Sequence, residues 1–333
     1  MHRQTRRLTT PLLAVWLSLI ANGTTSSQTT IEPQSNGAVA RELIADNHFE
    51  QGCILWEPKT GRHVEYGRIA GVSGTNEPVW GLAQWSSREK LLPDSQSTMA
   101  SGALRYANAA KSVTFGRPGT AEADLSLAVN AGVEYGDRVR QRGEPWPHLL
   151  VEQRFVNPPV LSELTQAHLH IEARLTASRR LDLPGYSPQH HAAQNLLFFT
   201  LKNCNRASAG YGQLLWFGVP LYDDRVRIPN AHRAQDVGKD DASGMFIFTV
   251  AGKEFTSQSL HDMQWVTIDK ELLPFMREGL TTAWQAGFLQ DSQDLADYRI
   301  TSMNLGWEVP GVFDVEMQYR NLSLMVSTTP KTH

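Results

Sequence analysis

Four ionisable residues, His168, His170, Glu172 and Arg174, recur at every second position of the segment Ala167-His168-Leu169-His170-Ile171-Glu172-Ala173-Arg174-Leu175. In an extended strand alternate side chains share a face. These four then line one side, with Leu169, Ile171, Ala173 and Leu175 on the other. The preceding segment, Leu149 to Phe155, sets Glu152 and Arg154 on one face and Val151, Gln153 and Phe155 on the opposite one. If the two strands are neighbours, one sheet face gathers two His, two Glu and two Arg, a set able to carry acid/base work or bind a sugar acid. The bland alternative is the solvated outer face of an antiparallel sheet, which is polar for its own reasons.

Three other stretches carry comparable equipment. Gly143-Glu144-Pro145-Trp146-Pro147-His148 holds an indole between two prolines, in a stiff loop that has little entropy left to lose. Trp146 and His148 there suit a platform for a sugar ring, or a plug for the end of a core. Tyr222, Asp223, Asp224 and Arg225 follow an apolar run at the point where a strand exits into a loop, which suits ligand contact or a local ion pair. His190-His191 is a loop pair of the same kind. Finally, Asn304 to Met317 reads as two strands joined by Pro310-Gly311, with Glu308, Asp314 and Glu316 near the junction. Paired carboxylates are the minimum equipment for cleaving a glycosidic bond.

The elements that must position these residues are strands. Short runs such as 53–56, 78–85, 111–115 and 125–129, then 149–156, 167–176, 195–203, 213–220, 245–251, 298–308 and 312–326, lie between Gly, Pro, Asn and Ser signals. The fold class expected is all-β, a two-sheet antiparallel sandwich, with no alternating βαβ units. One segment departs from this. Leu272, Leu273, Met276, Leu280, Ala283, Trp284 and Phe288 repeat at three- and four-residue intervals, predicting a peripheral amphipathic helix near 270–290 with Asp269 as its N-cap.

Residues 1–23 read as an export signal: Arg3, Arg6 and Arg7, then the apolar run Pro11 to Ala21, then small residues. The apolar run is about half the roughly 20 residues a spanning helix needs, so no membrane span is expected in the mature chain. Residues 24–46 read as a flexible linker and 47–328 as a single β-sandwich domain. The whole 333-residue chain has 31 basic and 34 acidic residues, a formal charge of -3, so no basic surplus is available for nucleic acid. Export to a periplasmic or extracellular space permits a Cys53–Cys204 disulfide, and two separate thiols equally. No cofactor motif is present.

The His168-x-His170 pair resembles the first ligands of cupins, but Glu172 follows His170 too closely and glycine framing is missing, so no metal is expected. With its export signal, many short strands, numerous tryptophans and the Gly306-Trp307-Glu308 segment, the chain resembles the concanavalin-like jelly rolls of secreted carbohydrate-active proteins over residues 48–327. That resemblance implies a polysaccharide or oligosaccharide partner and assigns no catalytic residue. Three readings follow. The first is a glycan-binding protein, with Trp146, His148, Arg174, Tyr222, Asp224 and Arg225 as contacts. The second is a polysaccharide lyase built on Arg154, His168, His170 and Tyr222. The third is a glycoside hydrolase using two of Glu152, Glu172, Glu308 and Glu316, although Asp314-Val315-Glu316 does not match the Glu-x-Asp-x-x-Glu strand of jelly-roll endoglucanases.

Overall fold

The computed structural model describes residues 39–74, 77–120, 123–136 and 138–329. The export signal and most of the expected linker lie outside these residues. In chain order the strands are β1 (Val39–Glu42), β2 (Gly52–Trp56), β3 (Glu65–Ala70), β4 (Trp80–Ala83), β5 (Gln96–Thr98), β6 (Leu104–Ala107), β7 (Lys111–Phe115) and β8 (Leu125–Asn130). A short helix α1 (Ala131–Tyr135) follows, then β9 (His148–Arg154), β10 (Leu164–Arg180), β11 (Gln194–Asn203), β12 (Leu214–Asp223), β13 (His232–Gln235) and β14 (Phe246–Thr249). The chain ends with β15 (Val266–Glu271), α2 (Leu273–Gln285), β16 (Tyr298–Glu308) and β17 (Phe313–Thr328).

These strands form the two-sheet sandwich that the strand pattern predicts. One sheet runs β15-β10-β17-β8-β7-β6-β5, with β1 also paired to β17; the other runs β13-β14-β12-β11-β16-β9-β4-β2-β3. Pairing is antiparallel except for β12 with β14 and β2 with β4. Both sheets turn an apolar face inward: Leu169, Ile171, Ala173 and Leu175 of β10 are buried against the layer that holds Leu149 and Val151 of β9. Polar tips on core aromatics tie the layers together. Trp307 of β16 donates its indole N–H to the Leu127 carbonyl of β8 at 2.9 Å, and Asn195 Nδ2 of β11 donates to Tyr319 Oη of β17 at 2.6 Å.

Three expectations need correction. Residues 39–44 are not linker, because β1 pairs with the end of β17 and Leu43 and Ile44 enter the core. Asp269 is not a helix cap. It lies in the edge strand β15, opposite His170, because Val266 and Ile268 alternate into the core, and α2 starts only at Leu273 with Pro274 in its first turn. The amphipathic helix is therefore shorter than its sequence period suggested. It closes one side of the sandwich, with Gly279 letting its backbone approach Leu215 and Phe248. Third, β16 and β17 are not a hairpin: the Pro310-Gly311 junction carries the chain from one sheet to the other.

Candidate functional site: a tryptophan-lined groove

The outer face of the nine-stranded sheet holds a groove of about 1330 Å³. That exceeds the roughly 300–1,000 Å³ of a site for a single drug-sized ligand. Its floor follows from strand alternation. With Leu149, Val151 and Gln153 of β9 committed to the core, His148, Leu150, Glu152 and Arg154 must face outward. Register then places Asn304 of β16 beside Glu152, Phe198 of β11 beside Asn304, and Gly218 of β12 beside Phe198, as one row across the sheet. Gly81 of β4 stands on the other side of Glu152. A Cβ at Gly81 would lie 2.0 Å from Trp56 Nε1, so the missing side chain is what lets this indole lie down over the row.

Four half-buried tryptophans, Trp56, Trp85, Trp146 and Trp216, line this cavity. Two buried polar atoms in the floor lack a protein partner: Trp56 Nε1, a donor, and Asn304 Oδ1, an acceptor. Buried polar atoms ordinarily find partners, and a hydroxyl group can serve both kinds, since it donates and accepts.

The two glutamates of the groove, Glu152 and Glu308, are each tied to a histidine. Glu152 Oε1 lies 2.7 Å from His63 Nε2, and Arg154 Nη2 approaches the other ring nitrogen, Nδ1, at 3.4 Å. A guanidinium only donates, so this contact assigns the acceptor role to Nδ1 and puts the proton donated to Glu152 on Nε2. His63 also meets the Trp56 ring edge-on at 5.4 Å. At the other end Glu308 Oε2 accepts the Trp146 indole N–H at 3.1 Å and lies 3.4 Å from His148 Nε2. Burial alone would raise the Glu308 pKa. The charges of His148 and Lys239 and the hydrogen bonds from His148 and Trp146 outweigh it and hold the carboxyl at about 2. It therefore stands ionised, as a hydrogen-bond acceptor and not a proton donor.

Glu152 and Glu308 are not neighbours in the strand register. Glu308 is registered with His148, four residues from Glu152 along β9, a backbone offset of about 13 Å. Two-carboxylate hydrolysis uses roughly 5–5.5 Å for retention or 6.5–9.5 Å for inversion.

The sequence-predicted residues are divided by the sandwich. Glu152, Arg154, Trp146 and His148 line the groove, and Tyr222 and Arg225 border it. Tyr222 is itself buried, donating its hydroxyl to Ser178 Oγ, and Arg225 forms an ion pair with Asp223, the local arrangement that is the alternative to ligand contact. Asp224 accepts the Ala193 backbone N–H. His168, His170, Glu172 and Arg174 lie on the outer face of the other sheet. The expected neighbourhood of β9 and β10 is thus corrected: the two strands belong to different sheets, so Glu152 and Arg154 cannot lie beside this cluster. There His168 and His170 share Asp269, Glu172 pairs with Arg320, and Arg174 and Arg320 approach the Trp265 ring. Asp314 and Glu316 are on that sheet too, held by Arg179 and by Ser126 Oγ. His191 is buried behind the loops and contacts the Arg140 carbonyl. Cys53 lies in the core and Cys204 at the groove, as two separate thiols. No cluster of three His, Cys, Asp or Glu side chains suited to a metal occurs among the described residues.

Sequence reasoning did not single out Trp56, His63, Trp85, Trp216, Lys239, Asp241 or Asn304. The available signal is apolar character on both faces of β2, β11 and β12, which periodicity alone does not distinguish from burial in a core. One of those faces is the groove wall.

No protein-family model matches the chain, and no curated protein matches it. Among solved structures it is similar to a family 12 xyloglucanase from Bacillus licheniformis, with 10% identity over 71% of this chain and 99% of that one, at a TM-score of 0.40. An endoglucanase from Rhodothermus marinus is 12% identical over 70% of this chain and 96% of that one, at 0.36. A family 11 xylanase from Neocallimastix patriciarum is 9% identical over 70% and 94%, at 0.36.

Proposed function

We propose that this protein is exported and holds a neutral oligosaccharide or polysaccharide chain in the groove of the nine-stranded sheet. The observation that carries the reading is the juxtaposition of four tryptophans with an orphaned donor at Trp56 and an orphaned acceptor at Asn304. A pyranose offers an apolar ring face to the first and hydroxyls to the second. A neutral chain fits better than a polyuronate, because five carboxylates, Glu152, Asp223, Asp236, Asp241 and Glu308, line the groove beside four cations. Two of those cations have acidic neighbours: Arg225 is on Asp223, and Lys239 is near Asp241. The register offset of Glu152 from Glu308 and the engagement of each carboxylate by its own histidine favour binding over two-carboxylate hydrolysis by that pair.

The test is calorimetric titration with cellohexaose, xylohexaose, laminarihexaose and mannohexaose, beside alginate and polygalacturonate, with chromatography for cleavage products. Trp56→Ala and Trp216→Ala should each weaken binding of the preferred hexaose about tenfold or more, equivalent to about 1.4 kcal/mol. Preference for the polyuronates, or unchanged affinity in both variants, would reject the reading.

A paired control concerns the opposite sheet. The double variant His170→Ala/Glu172→Ala should leave hexaose affinity unchanged and stability within about 1 kcal/mol, as expected of partly exposed ion pairs. Loss of binding in this variant would move the site to the β10 face.

A further inference from the structure

The loop between β13 and β14 starts and ends at one edge of the nine-stranded sheet, and its tip reaches the opposite wall of the groove. Its base is fastened near the floor. Ser243 donates its backbone N–H and its hydroxyl to Asp236 Oδ2 at 2.7 Å, and Trp216 Nε1 donates to Ser243 Oγ at 3.1 Å. Its tip is fastened far from β13. Asp241 Oδ2 accepts Thr60 Oγ1 at 2.5 Å and Ser86 Oγ at 2.9 Å, while Lys239 Nζ sits 4.2 Å from the centre of the Trp146 ring. Thr60 belongs to the connection between β2 and β3, and β3 is the edge strand opposite β13. One cavity is thus bounded by the sheet residues Leu196, Phe198 and Asn304 and by the loop residues Val237, Lys239 and Asp241.

We propose that residues 236–245 form a strap that roofs the groove, and that the protein selects an unbranched glycan threaded beneath it over the same backbone carrying side branches. The inference rests on the glycan reading above and adds the shape of the chain that is admitted. A substituted backbone would have to break both hydrogen bonds that Asp241 Oδ2 accepts, from Thr60 and from Ser86. A bare chain needs no such opening.

Two variants release the tip from opposite sides: Lys239→Ala/Asp241→Ala removes the strap's own anchors, and Thr60→Ala/Ser86→Ala removes their partners on the wall. The first measurement needs no ligand. Amide hydrogen exchange of peptides covering 236–245 should be about tenfold faster in both variants than in the wild type; equal exchange would overturn the strap whatever the groove binds. The second compares affinity for cellohexaose with xylosylated cellotetraose, and for xylohexaose with arabinosylated xylohexaose. The wild type should prefer the bare chain about tenfold or more, and both variants should narrow this to about threefold or less. An unchanged ratio, with exchange accelerated, would overturn the selection role. If exchange responds and the wild type binds none of the neutral chains, the glycan reading itself fails and threading fails with it.

Discussion

Replacing Glu134 with alanine should cost about 3–5 kcal/mol of folding stability, because it strips the partner from a buried lysine. Lys111 Nζ lies 2.8 Å from Glu134 Oε1, and the two side chains are 0% and 2% exposed. The carboxylate also accepts the Ser87 hydroxyl at 2.5 Å and the Arg88 backbone N–H at 2.6 Å. Burial pushes the Lys111 pKa down, and the charge of Glu134 opposes that shift. With Glu134 gone the ammonium must either lose its proton or remain charged in the core. Urea unfolding measures the loss, and a cost below about 1 kcal/mol would show that the pair is not the anchor described here. Lys111→Met/Glu134→Leu should recover most of the stability, since well-packed apolar residues can replace a buried pair. The pair has a functional consequence as well. It ties Ser87 and Arg88, which follow the groove residues Trp85 and Ser86, to β7 and α1, so the alanine variant should also bind the preferred hexaose less tightly.

Acidification should remove about 3 kcal/mol of stability through Glu308 alone, given a folded pKa of about 2 against an ordinary 4.5. The sign follows from the direction of the shift. A carboxyl held low in the folded state contributes stability that is complete above its unfolded pKa, near pH 4.5, and is lost as pH falls through about 2. In Glu308→Gln this contribution is missing at neutral pH. The stability gap between wild type and variant should therefore be widest above about pH 5 and close progressively toward pH 2. Urea titrations at a series of pH values test this. Parallel curves for the two proteins would mean that Glu308 is not held by His148, Lys239 and Trp146. Because Glu308 also accepts the Trp146 indole N–H, its neutralisation should loosen the Trp146 end of the groove over the same interval.

The two β10 faces were legible in the sequence at the level of single side chains. Leu169, Ile171, Ala173 and Leu175 enter the core and His168, His170, Glu172 and Arg174 face outward, as the two-residue period requires. The sheet to which the strand belongs was not legible. β9 and β10 follow one another in the chain with a short connection, and both alternate cleanly, yet they lie in different layers. Periodicity reports which side chains point inward and is identical in either sheet. The same blindness joined Glu308 to Asp314 and Glu316. Pro310-Gly311 signals a turn, and a turn within one sheet has the same local chemistry as a crossing between two.

Local chemistry in this chain determines a mostly-β protein, the direction of nearly every strand side chain, and the presence of one amphipathic helix, because each depends on neighbours a few residues apart. The groove is of another kind. Trp56 from β2, Glu152 from β9, Asn304 from β16 and Asp241 from the β13–β14 loop are brought together by the order of nine strands, which mixes near and distant segments of the chain. Strand order is set by which pairings bury the most apolar surface and leave the fewest backbone groups unpaired over the whole sandwich, a global balance that no single segment encodes. The side-chain chemistry was therefore readable residue by residue, and its assembly into one site was decided by the tertiary structure.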